Sequence, residues 1–204
     1  MFTQILQGHI RDRAGARRLM ERWVSDLSGE APGWLGGTHG ITDEGELFVA
    51  ARFADPDAAR ANNDRPAQDA WWREFVKLFD DTPTVRNSSE AETFLDGGSD
   101  DAGFVQVIQG RIADEGALRD ALDAMGSVSR EEMGRPDLIG GLFCRHDEGP
   151  EGTQIVYFTS EAQAREGEAR ELPAPARDSL AAWDAAMDDV RYLDLREVWM
   201  ASPA

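Results

Sequence analysis

The chain lacks most features of disulfide-bonded, membrane-spanning or metal-rich proteins. Cys144 is its only cysteine, so no intrachain disulfide can form. It has three scattered histidines and no apolar run near the ~18 residues of a membrane span. Its N-terminal residues do not follow the basic-then-apolar pattern of a secretion signal. These absences predict a cytoplasmic protein that does not enter a membrane and binds no metal.

Positive charge is also scarce. The chain carries 21 Lys and Arg against 39 Asp and Glu, for a net charge of −18. Both halves are acidic, so a nucleic-acid backbone or an anionic membrane surface would be repelled. No phosphate-binding glycine loop, dinucleotide fingerprint or Gly-x-Ser-x-Gly is present, so we expect no cofactor of those classes. Neither nucleic acid nor membrane is a predicted partner.

A long internal repeat is the strongest positive signal. Residues 2–10 read FTQILQGHI, and residues 104–112 read FVQVIQGRI. A Gly-Gly pair, a Phe-ended apolar run and an Ala-Trp pair follow in the same order in both copies. Self-similarity in a fixed order indicates duplication. We therefore predict repeat 1 at residues 1–95, a small and acidic linker at 96–103, and repeat 2 at 104–204.

The hydrophobic pattern of each repeat predicts the order strand, helix, strand, strand, helix, strand. Asp12 and Asp114 are suited to cap the first helices, and the second helical region is broken in both repeats by a proline-containing segment. This is the βαββαβ pattern of ferredoxin-like domains. The predicted fold class is therefore α+β. Because helices on one face leave the other face of each sheet bare, the two sheets are expected to pack together as an intramolecular α/β barrel. Such a chain would be a monomer with pseudo-dimeric halves.

This duplicated pattern resembles the dimeric α/β-barrel superfamily, close to the antibiotic-biosynthesis-monooxygenase-like (ABM-like) group. The resemblance rests on the glycine of the first strand (Gly8, Gly110), the Gly-Gly second strand and the Trp of the last helix (Trp71, Trp183). It implies the same fold and, as one activity, oxygenation of polycyclic phenols without a cofactor. The group also includes haem-degrading enzymes, peroxidases, isomerases and members of no known function. Fold alone does not choose among them.

The haem-degrading branch carries an Asn on the first strand and a His near the last helix. Here the first strand offers Gln4 and Gln7 instead, and repeat 1 has no His beyond His39. The chain therefore departs from that branch.

Two residues of repeat 1 are candidates for a functional site. His39 lies between glycines, which let a ligand approach, and a neutral imidazole can act as a base. A hydrogen-bonded strand histidine is the structural alternative. Trp72 corresponds to Asp184 in repeat 2, so it should lie off the shared core and could line a pocket.

Three further polar residues are candidate ligand contacts. Gln4 and Gln7 recur as Gln106 and Gln109. Hydrogen bonds between the halves or to the backbone, which fix the strand register, are the favoured interpretation over ligand contact. Arg65 precedes a proline at the helix break, where it could hold a carboxylate, although a capping turn is the first interpretation.

The functional prediction is a protein that binds a small hydrophobic or aromatic molecule. Cofactor-independent monooxygenation is the candidate activity, with His39 as the catalytic residue and Trp72, Gln4, Gln7 and Arg65 as substrate contacts. The alternative is a non-catalytic binding or structural protein of the same fold with no open cavity.

Overall fold

Helices and strands begin where local hydrogen-bonding chemistry favours them. A computed structural model describes residues 1–203, apart from the side chain of Pro175. The Asp12 carboxylate accepts a hydrogen bond from the Gly15 amide, and Asp114 accepts from the amides of Gly116 and Ala117, so both predicted helix caps are confirmed.

The ten strands and seven α-helices described have the following bounds. The strands are β1 (Phe2–His9), β2 (Trp34–Ile41), β3 (Glu46–Phe53), β4 (Thr84–Ser88), β5 (Glu90–Leu95), β6 (Phe104–Ile112), β7 (Leu138–Arg145), β8 (Glu151–Phe158), β9 (Met187–Leu195) and β10 (Glu197–Ala201). The helices are α1 (Arg13–Asp26), α2 (Pro56–Asn63), α3 (Pro66–Phe75), α4 (Glu115–Ser127), α5 (Arg130–Met133), α6 (Glu161–Glu168) and α7 (Ala174–Ala186).

These elements form two compact units, each with one five-stranded sheet. Unit 1 contains Met1–Glu90 and Glu197–Ala204, and unit 2 contains Ala91–Arg196. Sheet 1 has the order β10-β2-β3-β1-β4, and sheet 2 has the order β5-β7-β8-β6-β9. The predicted α+β class with two ferredoxin-like repeats is confirmed.

The ends of the repeats differ from the predicted single last strand. Each repeat ends in two strands, which are separated at Ser89 in repeat 1 and at Arg196 in repeat 2. The second of each pair joins the other sheet, so β5 pairs in sheet 2 and β10 pairs in sheet 1. The compact units therefore do not coincide with the sequence repeats. Strand β4 was not predicted because its residues, TVRNS, are mostly polar and exposed.

The expected barrel is not closed. Over residues 1–203 the hydrogen-bonded ladders end at β4 and β10 in sheet 1 and at β5 and β9 in sheet 2, which leaves two separate sheets. The two predicted ferredoxin-like repeats are present, but their sheets are not closed into a barrel.

The core of unit 1 lies between sheet 1 and its helices. Phe2 and Leu6 of β1 are buried with Met20 and Trp23 of α1. Ile5, on the other face of β1, is also buried, so both faces of this strand are covered. None of the helices within residues 1–203 has the length and apolar composition needed to cross a membrane.

Candidate functional site

A cavity of about 350 Å³ lies between sheet 1 and the helices of unit 1. It falls within the size range of small-molecule sites. Its walls come from strands β1–β4 and helices α1–α3. The lining residues are Gln4, Leu6, Met20, Trp23, Trp34, His39, Val49, Ala51, Phe53, Asn62, Asn63, Gln68, Asp69, Trp71, Trp72, Phe75 and Val85.

Aromatic rings form much of the wall. Trp71 stacks on Phe75 with ring centroids 4.5 Å apart, and Trp72 lies 6.2 Å from the same ring. The Trp71 indole N–H donates to the Leu19 carbonyl oxygen at 2.8 Å, and that of Trp23 donates to Gln68 at 2.6 Å. Because these donors are already used, the two indoles offer the cavity mainly their apolar surfaces.

His39 is held in one orientation by the neighbouring strand. It is buried on β2, opposite Trp199 of β10, and its Nδ1 lies 3.1 Å from the Trp199 carbonyl oxygen. A carbonyl only accepts, so Nδ1 must donate, which leaves the lone pair of the neutral ring on Nε2. The imidazole also stacks on the Trp199 indole at 5.9 Å. Its Nε2 lies 2.9 Å from where a Cβ of residue 37 would stand, so Gly37 provides the room that the ring occupies.

The electrostatic surroundings keep His39 neutral. Burial lowers the pKa of His39 to about 4, because the imidazolium would lose its hydration. The hydrogen bond to the Trp199 carbonyl opposes this shift, whereas the positive charge of Arg52 adds to it. At pH 7 the ring is therefore uncharged, with an acceptor on Nε2 and no described residue bonded to that atom.

Asn62 adds a fixed hydrogen-bond donor that the sequence analysis missed. It is buried at the end of α2, and its Oδ1 accepts from Nη1 of Arg65 at 3.0 Å. No described residue accepts from its Nδ2. Arg65 does not line the cavity; it binds the Leu27 carbonyl oxygen and Glu30 as well, so it ties the helix break to the end of α1. Its contact with the cavity is indirect, through Asn62.

The remaining predicted residues are divided between the cavity and the sheet. Trp72 and Gln4 line the cavity with His39, and Gln4 also donates to Asn87 on the adjacent β4 at 3.3 Å. Gln7 lies outside the lining and donates to Glu46 of β3 at 2.7 Å. Both glutamines thus make side-chain hydrogen bonds to neighbouring strands of sheet 1.

Unit 2 has different residues at the equivalent positions. His39 and Val49 face each other across β2 and β3, as Phe143 and Gln154 do across β7 and β8. The Phe143 ring packs edge-on against Trp183 at 5.3 Å. Counted from the capping residue of its helix, Asn62 corresponds to Gly167. Repeat 2 therefore keeps neither the imidazole of His39 nor the amide of Asn62. The replacement of Asn62 by Gly167 is the one signal in the sequence that could have identified Asn62 as a candidate.

No metal centre is found among residues 1–203: no group of three or more His, Cys, Asp or Glu side chains is suitably placed for an ion. Cys144 is buried on β7.

Comparison with known proteins gives matches in structure only. No family model matches the chain, and no curated protein matches it. A candidate monooxygenase from Fusobacterium nucleatum shares 8% identity, with a TM-score of 0.78 over 100% of this chain and 94% of that one. A candidate monooxygenase from Lactobacillus acidophilus NCFM shares 14%, with a TM-score of 0.74 over 98% of both chains. An anthrone oxidase-like protein shares 11%, with a TM-score of 0.67 over 98% of this chain and 92% of that one.

The chain has the ABM-like ferredoxin fold. The neighbours cover the whole chain, so the likeness extends over both repeats. At such low identity it establishes the fold and not the chemistry. The cavity of unit 1 is therefore the feature from which an activity can be inferred.

Proposed function

We propose that unit 1 binds a planar aromatic ketone or phenol and oxygenates it with O₂ without a cofactor. The observation that carries the proposal is the neutral His39, which has an unbonded Nε2 and lines an aromatic cavity of about 350 Å³. The fold neighbours named as candidate monooxygenases and as anthrone oxidase-like support the same reaction class.

The polar groups of the cavity favour a ligand with two features. Asn62 Nδ2 can donate to a carbonyl oxygen, and His39 Nε2 can accept an acidic hydrogen. The faces of Trp71, Trp72 and Phe75 suit flat rings. A fused-ring ketone with an activated methylene, or its phenolic tautomer, combines these features.

The reaction needs no electron donor beyond the substrate. His39 Nε2 takes a proton as a C–H bond of the activated methylene breaks, and the carbanion is stabilised through the carbonyl bound by Asn62. The carbanion then gives its electron pair to O₂ in two one-electron steps, and a C–O bond forms. The resulting peroxide recovers the proton from His39 and loses water, as its O–O bond and the second C–H bond break. In the overall reaction, the methylene group and O₂ give a carbonyl group and water.

The low pKa of His39 is compatible with this role because proton transfer creates its own counter-ion. In the empty cavity an imidazolium would be buried alone, which lowers its pKa to about 4. Beside a newly formed carbanion the imidazolium has an anionic partner, and an adjacent opposite charge raises the pKa of a histidine. His39 is therefore a better proton acceptor in the ligand complex than in the free protein.

Anthrone is a suitable first probe. Saturable quenching of tryptophan fluorescence should report binding, since four tryptophans line the cavity. Oxygen uptake should match anthraquinone formation one to one without released peroxide. His39→Phe introduces the residue of repeat 2 and should abolish turnover, whereas His39→Gln should keep most of the binding and lose turnover. The exposed His9, changed to Gln, is the matched control and should behave as wild type.

The alternative is non-catalytic binding in the same cavity. Saturable quenching without oxygen uptake above the rate in buffer would favour this alternative over oxygenation. If the wild-type protein showed no saturable quenching, or if His39→Phe showed the same quenching as the wild type, the cavity would not be the binding site.

A further inference from the structure

A second amide side chain, that of Gln68, lines the cavity besides Asn62. Gln68 lies half-buried in the first turn of α3, and its Oε1 accepts the indole N–H of Trp23 at 2.6 Å. Because an indole N–H only donates, this contact fixes which end of the amide is used. The Gln68 oxygen is occupied, and its NH₂ group stays available, since no described residue accepts from Nε2.

The same chemistry orients both amides of the cavity. A guanidinium also only donates, so Arg65 occupies the Asn62 oxygen and leaves the Asn62 NH₂ group available. Asn62 is buried, whereas Gln68 is half-buried and precedes the exposed Asp69, so the second donor lies nearer to solvent. Two donors at different depths suit two separate acceptor atoms of one ligand.

Repeat 2 shows that the fold does not need the hydrogen bond between Trp23 and Gln68. Counted from the capping aspartates of α1 and α4, Trp23 corresponds to Met125. Counted from the Ala-Trp pair that both repeats share, Gln68 corresponds to Leu180. Met125 is buried, as Trp23 is, and Leu180 is exposed. The polar pair is therefore a feature of repeat 1, which supplies the walls of the cavity.

We propose that Gln68 is a specificity-determining residue, which donates to a second, uncharged oxygen of the aromatic ligand. The inference rests on the ligand binding of the proposed function and not on its oxygenation step. None of the described residues that line the cavity is Lys or Arg, so a ligand carboxylate would be buried without a counter-ion. An ether, hydroxyl or carbonyl oxygen needs only a donor. The preferred ligand is therefore a fused-ring ketone with a further oxygen substituent, and not the bare ring system.

Anthrone and its monomethoxy isomers test this ligand class. A methoxy oxygen accepts a hydrogen bond but does not donate one, and the isomers together place it at each distinct ring position. Dissociation constants come from the midpoint of saturable tryptophan quenching under argon, so that no ligand is oxidised. One added hydrogen bond of ordinary strength predicts that at least one isomer binds roughly three- to tenfold more tightly than anthrone.

Two variants of Gln68 separate hydrogen-bond donation from packing. Gln68→Glu keeps an oxygen for the Trp23 N–H and removes the donor, whereas Gln68→Leu introduces the residue of repeat 2 and removes both. Each variant should abolish the advantage of the methoxy isomer over anthrone. This advantage is the ratio of two dissociation constants within one protein, so a general change in the cavity cancels. Gln163→Glu makes the same change at an exposed position of α6, outside the lining, and should keep the wild-type ratio.

Two results would overturn the inference. The first is a wild-type protein that binds anthrone but binds no methoxy isomer more tightly. The second is an advantage that survives in Gln68→Glu or in Gln68→Leu.

Oxygen uptake, measured separately in air, distinguishes this inference from the proposed oxygenation. An advantage that depends on Gln68, found without oxygen uptake, would support the role of Gln68 and refute the oxygenation. Oxygen uptake without any such advantage would refute only the role of Gln68. If neither anthrone nor any methoxy isomer bound, both proposals would be refuted.

Discussion

Acidification should destabilise the protein through His39 in a way that a single variant can isolate. The pKa of His39 is about 4 in the folded protein, against 6.5 for an unperturbed histidine. Above pH 6.5 the ring is neutral in both states and contributes no pH dependence. Between 6.5 and 4 the unfolded state binds the proton more readily, so the free energy of unfolding falls as the pH falls. Below 4 both states are protonated and the loss is complete.

The two pKa values set the size of the effect. Relative to pH 7, the linkage relation gives a loss of about 1 kcal/mol at pH 5.5 and about 2 kcal/mol at pH 4.5. The limiting value for this difference in pKa is about 3 kcal/mol. Losses of this size are a substantial fraction of the 5–15 kcal/mol typical of a domain.

The assay is urea unfolding of wild type and His39→Phe across this pH range. Phenylalanine is the residue that repeat 2 carries at this position, and it does not titrate. The carboxylates contribute alike to both proteins, so the difference between the two unfolding free energies isolates His39. Parallel pH profiles for the two proteins would refute the burial argument. Titration of the His39 ring carbons by NMR provides an independent value of the pKa.

Three substitutions test other parts of the structure. Arg65→Ala leaves Asn62 without its orienting donor, so anthrone affinity should fall several-fold in the quenching assay without loss of the fold. Gly141→Ala places a methyl group against the Phe94 ring, and thermal unfolding should show a loss of about 1–3 kcal/mol, as expected for overpacking. Asp114→Ala removes the cap of α4 and should cost about 1 kcal/mol in the same measurement.

The sequence predicted what local and repeated patterns encode. The repeated FxQxxQGxI identified β1 and β6, and the aspartates before α1 and α4 identified their caps, because both signals depend on neighbouring residues. The exchange of β5 and β10 could not be predicted in this way. Which sheet edge a short strand joins is decided by distant parts of the chain, and no local pattern in β10 specifies β2 as its partner.

The candidate site was predicted in part for the same reason. His39 was predicted from its neighbouring glycines and Trp72 from its replacement by Asp184 in repeat 2, and both line the cavity. Asn62 differs equally from Gly167, but a polar residue near a helix end is common in any sequence. Its importance comes from burial and from the bond to Arg65, which are both tertiary properties.

Strand exchange makes the cavity of repeat 1 depend on the last residues of repeat 2. Trp199 of β10 supplies the carbonyl that selects the Nδ1–H tautomer of His39, and its indole stacks on the ring. Arg17 lies over the same indole at 5.5 Å. The tautomer depends on a backbone group, whereas the stacking depends on a side chain, so the two contributions can be separated.

Trp199→Ala should therefore retain the Nδ1–H tautomer while it frees the ring to move, whereas truncation after Arg196 should remove both constraints. The ¹⁵N shifts of His39 report the tautomer directly, since protonated and unprotonated ring nitrogens resonate far apart. We expect the wild-type pattern in Trp199→Ala and an averaged pattern in the truncated chain. If Trp199→Ala alone produced the averaged pattern, the side chain and not the carbonyl would hold the tautomer. If both kept the wild-type pattern, β10 would not be needed to orient His39, and repeat 1 would build its site without the exchanged strand.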